Sequence, residues 1–235
     1  MMEQIFSYRR WLIISPHADD AELGCGGSIA RAIEAGIEVH IAVVVLKGET
    51  HLREQRYVSA TQRHQELAAA MNSAGAHYSV LNFVNEGESF DMASSSQSVC
   101  VQQLDQLLET LQPELMLMPV PSFHQEHQWV YHCCVAATRP TKNQRSLRLI
   151  AAYEYPAAGW GNSSSWDSSR GAVYINISDY LPAKLAMLTA HQSQMSATRN
   201  ALISLDGVKR LASYRGVEAG YDHAEMFYVM RGWVD

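Results

Sequence analysis

The sequence predicts an α/β fold with a mostly parallel central sheet, on three observations. Apolar, β-branched runs at residues 11–14 and 37–45 read as strands covered on both faces. Helical stretches separate the strands, so that neighbouring strands are expected to run parallel. The chain has 235 residues, 47% of them apolar and 18% charged, enough to bury one sizeable core.

In chain order, the first strand ends near Ser15, and the glycines at 24, 26 and 27 read as a turn. Ser28 is the expected N-cap of a helix over 29–35, closed by Gly36. Residues 37–45 are a second central strand. A loop over 47–52 leads to a helix from about 53 to 73, which Gly75 ends. It is expected on length and alanine content, because Val58, Leu67, Ala70 and Met71 carry only a weak 3.6-residue period. A short strand over 78–83 and a polar surface loop over 85–98 follow. Val101, Leu104, Leu107, Leu108 and Leu111 recur at helical spacing, and Pro113 stops that helix. Residues 114–120 are a fourth strand, 129–138 a helix, 148–155 a fifth strand and 172–177 a late strand. A helix over 181–197, a short one over 198–203 and a closing strand over 224–231 complete the chain. No repeat or linker interrupts it. Residues 1–235 are therefore expected to form a single domain, a Rossmann-like three-layer α/β fold.

Charge and cysteine usage narrow the function. Twenty-four acidic residues against 18 basic ones give a net charge of −6, which argues against nucleic acid or an anionic membrane as partner. No apolar run approaches the roughly 18 residues a membrane span needs, and the N-terminus lacks a signal-peptide pattern. Cys25, Cys100, Cys133 and Cys134 show no C-x-x-C spacing. A reduced, cytoplasmic protein without a disulfide framework or thiolate metal site is expected.

The chemistry-bearing residues gather at two strand ends. His17, Asp19 and Asp20 follow the first strand, and His124 and His127 follow the fourth. In a parallel sheet both ends lie on one edge, where open α/β sheets bind ligands. An H-x-x-H alone arises by chance, and an Asp-Asp alone is commonly a turn or helix cap. Together at two strand ends they point to a divalent metal. Two histidines and one carboxylate leave a catalytic zinc ion an open position, and the remaining carboxylate is free to act as a base. A dinucleotide-binding loop is the rival reading. However, Gly24-Cys25-Gly26-Gly27-Ser28-Ile29 lacks the third glycine of G-x-G-x-x-G, and Asp19, Asp20 and Glu22 would repel a pyrophosphate. Cys25, His40 and His132 read as packing or surface residues. Glu22 reads as an acid at a helix start or beside the site, and His191 is ambiguous. Trp160 and Trp166, in a Gly/Ser-rich loop, could stack on a sugar or serve an interface.

The segment Pro16-His17-Ala18-Asp19-Asp20-Ala21-Glu22-Leu23-Gly24-Cys25-Gly26-Gly27, with the later His124-Gln125-Glu126-His127, resembles the PIG-L (LmbE-like) family of zinc-dependent N-acetylglucosaminyl deacetylases. Arg63-His64-Gln65-Glu66, Lys184 with His191-Gln192-Ser193-Gln194, and Ala224-Glu225-Met226-Phe227 resemble further family segments. The resemblance implies His17, Asp20 and His127 as zinc ligands and Asp19 as general base, then acid to the leaving amine. It also implies His124 as a cation stabilising the oxyanion and Arg63 as a contact to the substrate. Ala18 stands where the family has proline, and Glu126 where it has aspartate. Glu126 is expected to orient His124, as carboxylates commonly orient histidines. The implied reaction removes an N-acetyl group from an amino-sugar-containing small molecule or glycoconjugate, releasing acetate and a free amine. Rivals are a nucleotide-binding module without hydrolase activity and a non-catalytic metal-binding relative. Family members often assemble, so a homo-oligomer is compatible with this reading.

Overall fold

Seven strands form the central sheet of the computed structural model, which describes residues 5–51, 55–88, 90–91, 95–140, 146–157, 171–198 and 200–233. In chain order the elements are β1 (Arg10–Ser15), α1 (Asp20–Glu34), β2 (Glu38–Leu46), β3 (Glu49–His51), β4 (Arg56–Val58), α2 (Ala60–Ala74) and β5 (His77–Phe83). There follow α3 (Gln97–Leu111), β6 (Leu115–Pro119), α4 (Gln125–Ala137), β7 (Leu149–Tyr153), β8 (Ala172–Asn176), α5 (Leu181–Ala190), α6 (Leu205–Ala219) and β9 (Ala224–Gly232). The sheet order is β5-β2-β1-β6-β7-β9-β8. The first five of these run parallel, while β9 pairs antiparallel with both β7 and β8. This is the expected α/β, mostly parallel, three-layer fold.

Strand alternation builds two core layers. Trp11 and Ile13 of β1 join Ile41 and Val43 of β2 beneath α1, α2 and α5. Leu12 and Ile14 join Ala42, Val44, Met116 and Met118 beneath α3 and α4. The β1 residues of both layers are at most 1% exposed, which explains why the strand reads as an unbroken apolar run. Each such side chain contributes about 1.5–3 kcal/mol by its burial.

Several expected boundaries move. Helix α1 starts at Asp20, with Asp19 in the N-cap position, and not at Ile29 after a Ser28 cap. The expected glycine-rich turn is therefore helix. A Cβ at Gly24 would lie 2.2 Å from Tyr153 Cδ2, one at Gly26 2.8 Å from Lys184 Cγ, and one at Gly27 2.7 Å from Ile177 Cβ. These glycines let the helix lie close to its neighbours. Residues expected as loop and helix start form instead an antiparallel hairpin of β3 and β4, with Glu49 opposite Val58. Helix α2 begins only at Ala60, where the Ser59 side chain accepts from Gln62 N at 3.0 Å. The helix expected over 181–197 ends at Ala190, and no helix forms over the described part of 198–203.

Helix α6 is the element the sequence reading lacks. Ser204 caps it by accepting from Gly207 N, and Gly220 ends it at φ 76°. The sequence reading assigns nothing to residues 204–223, and the helix carries two interior glycines. A Cβ at Gly207 would lie 2.4 Å from Leu202 O, and one at Gly216 2.6 Å from Asp222 O. Close backbone approach, not turn geometry, accounts for both. Trp160 and Trp166 lie outside the described residues. No helix among the described residues is long and apolar enough to cross a membrane.

Candidate active site

Strands β1 and β6 are neighbours, and the chain leaves them in opposite directions, to β2 and β5 on one side and to β7 on the other. The crevice beyond their C-terminal ends is thus a topological switch point, where such sheets place ligands. Past β1, Ser15 Oγ donates to His17 O at 2.6 Å and accepts from Ala21 N at 3.0 Å, fixing the turn into α1. Past β6, His124 N donates to Ser122 Oγ at 3.2 Å, and His124 becomes the N-cap of α4. Three residues on, His127 lies on the same side of that helix start.

The two strand ends do converge. The ring centroids of His17 and His124 are 5.3 Å apart, those of His17 and His127 5.3 Å, and those of His124 and His127 4.9 Å. Asp20 Oδ2 lies 3.1 Å from His17 Nδ1 and 3.2 Å from His127 Nε2. Among the described residues, His17, Asp20 and His127 form the group whose ligand atoms all lie within 4.8 Å of one another. Zinc bonds of about 2.0–2.2 Å in tetrahedral geometry set ligand atoms roughly 3.3–3.6 Å apart. The two nitrogen–oxygen distances come close to that spacing, and the three atoms are near enough to share a divalent ion. The three residues line a cleft of about 720 Å³ together with Asp19, Arg63, His124 and Glu126.

Electrostatics divides the two aspartates. Burial favours a neutral Asp20, but His127 and His17 outweigh it and hold the carboxyl well below the usual range. Burial and the adjacent Asp20 push Asp19 up, against the pull of His191, Arg63 and His17. Adjacent carboxylates whose proton affinities are driven apart are the pattern of a ligand beside an acid–base group. Burial lowers His17, yet its bonds to Asp20 and Glu126 raise it to about 9. That field favours a cation at the cluster. His124 is pushed down, by its partial burial and then by His17 and His127.

Glu126 departs from its expected partner. Its Oε2 accepts from His17 Nε2 at 2.5 Å, and its Oε1 accepts from Lys47 Nζ at 2.5 Å. Burial would raise this carboxyl, but His17 and Lys47 take it down to about 2. The contacts of Glu126 run to His17 and Lys47 and not to the expected His124. Arg63 is 3% exposed, donates to Lys47 O at 3.0 Å and lies 3.4 Å from Glu49. Its Nε is buried without a hydrogen-bond partner among the described residues, and the side chain lines the cleft.

Lys47, Glu49, His51 and Tyr155 also line the cleft and were not anticipated. The Tyr155 ring lies 4.5 Å from that of His127, and its hydroxyl is 2.8 Å from Ser122 Oγ. Burial pushes that hydroxyl up to about 12. Lys47 directly follows β2, so the strand-end rule could have found it. Of the ambiguous residues, His191 is buried and 2.9 Å from buried Glu22. Cys25 is buried in α1, His40 Nε2 lies 3.0 Å from Ser79 Oγ, and His132 is exposed. All four cysteines are free. Acidic Asp19, Asp20 and Glu22 crowd the start of α1, which is unsuited to a phosphate.

Comparison with known proteins adds to this geometry. The sequence profile of PIG-L, described as GlcNAc-PI de-N-acetylase, matches residues 12–138. The uncharacterized deacetylase YaiS of Escherichia coli (strain K12) is 30% identical over 187 residues, covering 77% of this chain and 90% of that protein. The N,N'-diacetylchitobiose deacetylase of Pyrococcus horikoshii superposes with a TM-score of 0.69 at 19% identity, over 95% of this chain and 84% of its own. GalB, the 4-carboxy-2-hydroxymuconate hydratase of Pseudomonas putida KT2440, does so with 0.72 at 18% identity, over 97% and 98%. At such identities the two structures share the fold, and their differing activities show that the fold does not select the reaction.

Proposed function

The chain belongs to the PIG-L family of de-N-acetylases, enzymes that hydrolyse an amide, and on that premise we propose that it is a zinc-dependent deacetylase of N-acetylated amino sugars or their conjugates. The observation that carries the proposal is the convergence of His17, Asp20 and His127 around one point, with Asp19 beside them at 8% exposure. His17 Nδ1, Asp20 Oδ2 and His127 Nε2 would hold the ion. The chemistry supplied there by a bound zinc ion is Lewis acidity toward an amide carbonyl and toward water.

The chain's own groups do the rest. Asp19, pushed up by burial and by Asp20, takes a proton from water as its oxygen bonds to the acetyl carbon. His124 stands at the mouth of the cluster, where a hydrogen-bond donor faces the oxygen on which negative charge develops. Asp19 then returns the proton to the nitrogen as the C–N bond breaks, giving acetate and a free amine. Arg63, which lines the cleft, would contact sugar hydroxyls or a phosphate. The proposal takes residues 1–235 as one cytoplasmic catalytic domain acting on a small molecule or glycoconjugate.

The test is acetate release, with zinc present, from a panel of N-acetylated sugars and conjugates. At least one substrate should turn over. Asp19→Asn should lower that rate by about 10²–10⁴-fold while zinc still binds. Absence of acetate release across the panel, or full turnover by Asp19→Asn, would count against the reaction or the base respectively.

A further inference from the structure

Lys47 stands outside the motifs that define the site, yet it closes a chain of contacts that ends on a candidate ligand. Its Nζ donates to Glu126 Oε1 at 2.5 Å, and Glu126 Oε2 accepts from His17 Nε2 at 2.5 Å. The other ring nitrogen of His17 faces Asp20 Oδ2 at 3.1 Å. All three side chains are mostly covered, at 30%, 18% and 13% exposure for Lys47, Glu126 and His17. The lysine backbone is pinned as well, since its carbonyl accepts from Arg63 Nη1 at 3.0 Å. From these contacts we infer that Lys47 is a positioning residue that acts through Glu126 to set the orientation and tautomer of His17.

A carboxylate on a flexible stem can rotate and offer either oxygen, or neither, to an imidazole. Glu126 has both oxygens engaged, by partners that follow the neighbouring strands β1 and β2. With Oε1 held by the ammonium, Oε2 stays aimed at His17 Nε2–H. When His17 gives up one proton to take an ion, the proton it keeps is then the one on Nε2, and the Nδ1 lone pair would face the ligand cluster. Glutamate, one methylene longer than aspartate, spans from α4 to both the lysine after β2 and the histidine after β1. The lysine also offsets the extra negative charge that Glu126 would otherwise add beside Asp19 and Asp20. The neutral route, a lysine that merely solvates in the cleft mouth, does not account for an ammonium paired at 2.5 Å and mostly covered.

The inference rests on the metal-site reading of the preceding section, so its test separates the two. Zinc affinity is measured by chelator competition, and the visible d–d spectrum is recorded on cobalt(II)-loaded protein. Wild type, Lys47→Met, Lys47→Arg, Glu126→Gln and the Lys47→Met/Glu126→Gln pair are compared. Lys47→Met should weaken zinc binding about 10–100-fold and shift the cobalt bands. Lys47→Arg should recover most of both. The double variant should bind no more weakly than Glu126→Gln alone, because the lysine acts only through that carboxylate. Lys47→Gln gives the same readout if the methionine variant folds poorly. Wild type that binds zinc, with Lys47→Met matching it in affinity and spectrum, overturns the inference alone, as do losses that simply add. Wild type that binds neither ion overturns the metal site and the inference with it.

Discussion

His127 is 2% exposed, its Nε2 lies 3.2 Å from Asp20 Oδ2, and Tyr155 covers its ring. As a ligand of the proposed ion, so enclosed a side chain has little freedom to be replaced by water or by a neighbouring side chain. His127→Ala should therefore weaken zinc binding by more than the roughly 10–100-fold that loss of an outer partner costs. Chelator competition measures this, and unchanged affinity would mean that the ligand set is wrong. A thermal melt without zinc separates that loss from unfolding. His17, Asp19, Asp20, His124 and His127 were legible in the sequence because each follows a strand that reads clearly as buried. The partner of Glu126 was not legible. A side chain's reach depends on the residue at which its helix starts, and a boundary is what local pattern fixes least. Tyr155 and Lys47 belong to no motif, and sheet neighbourhood alone brings them to the cleft.

Helix α1 shows how an element can be read with the right residues and the wrong conformation. Glycines cost about 1 kcal/mol each in a helix relative to alanine, so the cluster at 24, 26 and 27 reads as a turn. Tertiary packing reverses that preference. Tyr153 is fully buried, its hydroxyl donates to Ile14 O at 2.9 Å, and its ring occupies the space a side chain at Gly24 would need. Glu154 O would also lie 2.8 Å from a Cβ there. Gly24→Ala should gain about 1 kcal/mol of helix propensity and lose about 1–3 kcal/mol or more to overpacking. The expected outcome is a net loss of stability, with Tm lowered by several degrees. Gly36→Ala is the contrast: nothing lies within 4 Å, and φ of 79° alone sets its cost. A Gly24→Ala protein that melts at or above wild type would show that α1 can move off the sheet freely. The same logic explains α6, whose glycines at 207 and 216 serve close backbone contacts that no local pattern announces.

At the scale of the whole molecule, the sheet order brings the ends of β1 and β6 side by side, and the fold class was legible because buried parallel strands declare themselves as apolar runs. What local pattern does not reveal is which buried charges lock neighbouring elements together. His191, just past α5, bonds Glu22 of α1 at 2.9 Å, and both are wholly buried. Burial would lower the His191 imidazole, but Glu22, Asp19 and Glu66 outweigh it and raise it above its ordinary value near 6.5. A group that holds its proton more tightly folded than unfolded stabilises the fold fully below its unfolded pKa. The contribution is lost as pH rises through the folded value. Unfolding free energy from denaturant titration should therefore fall above pH 6.5 more steeply in wild type than in His191→Gln/Glu22→Gln, at matched zinc. The double variant is the fitting comparison, because removing the histidine alone would strand a buried carboxylate at a cost of several kcal/mol. Titrating groups remote from the pair are common to both proteins and cancel in the difference. Parallel pH profiles would mean that His191 is neutral in the fold. Glu22 would then be held by hydrogen bonding alone, with no ion pair joining α1 to the segment after α5.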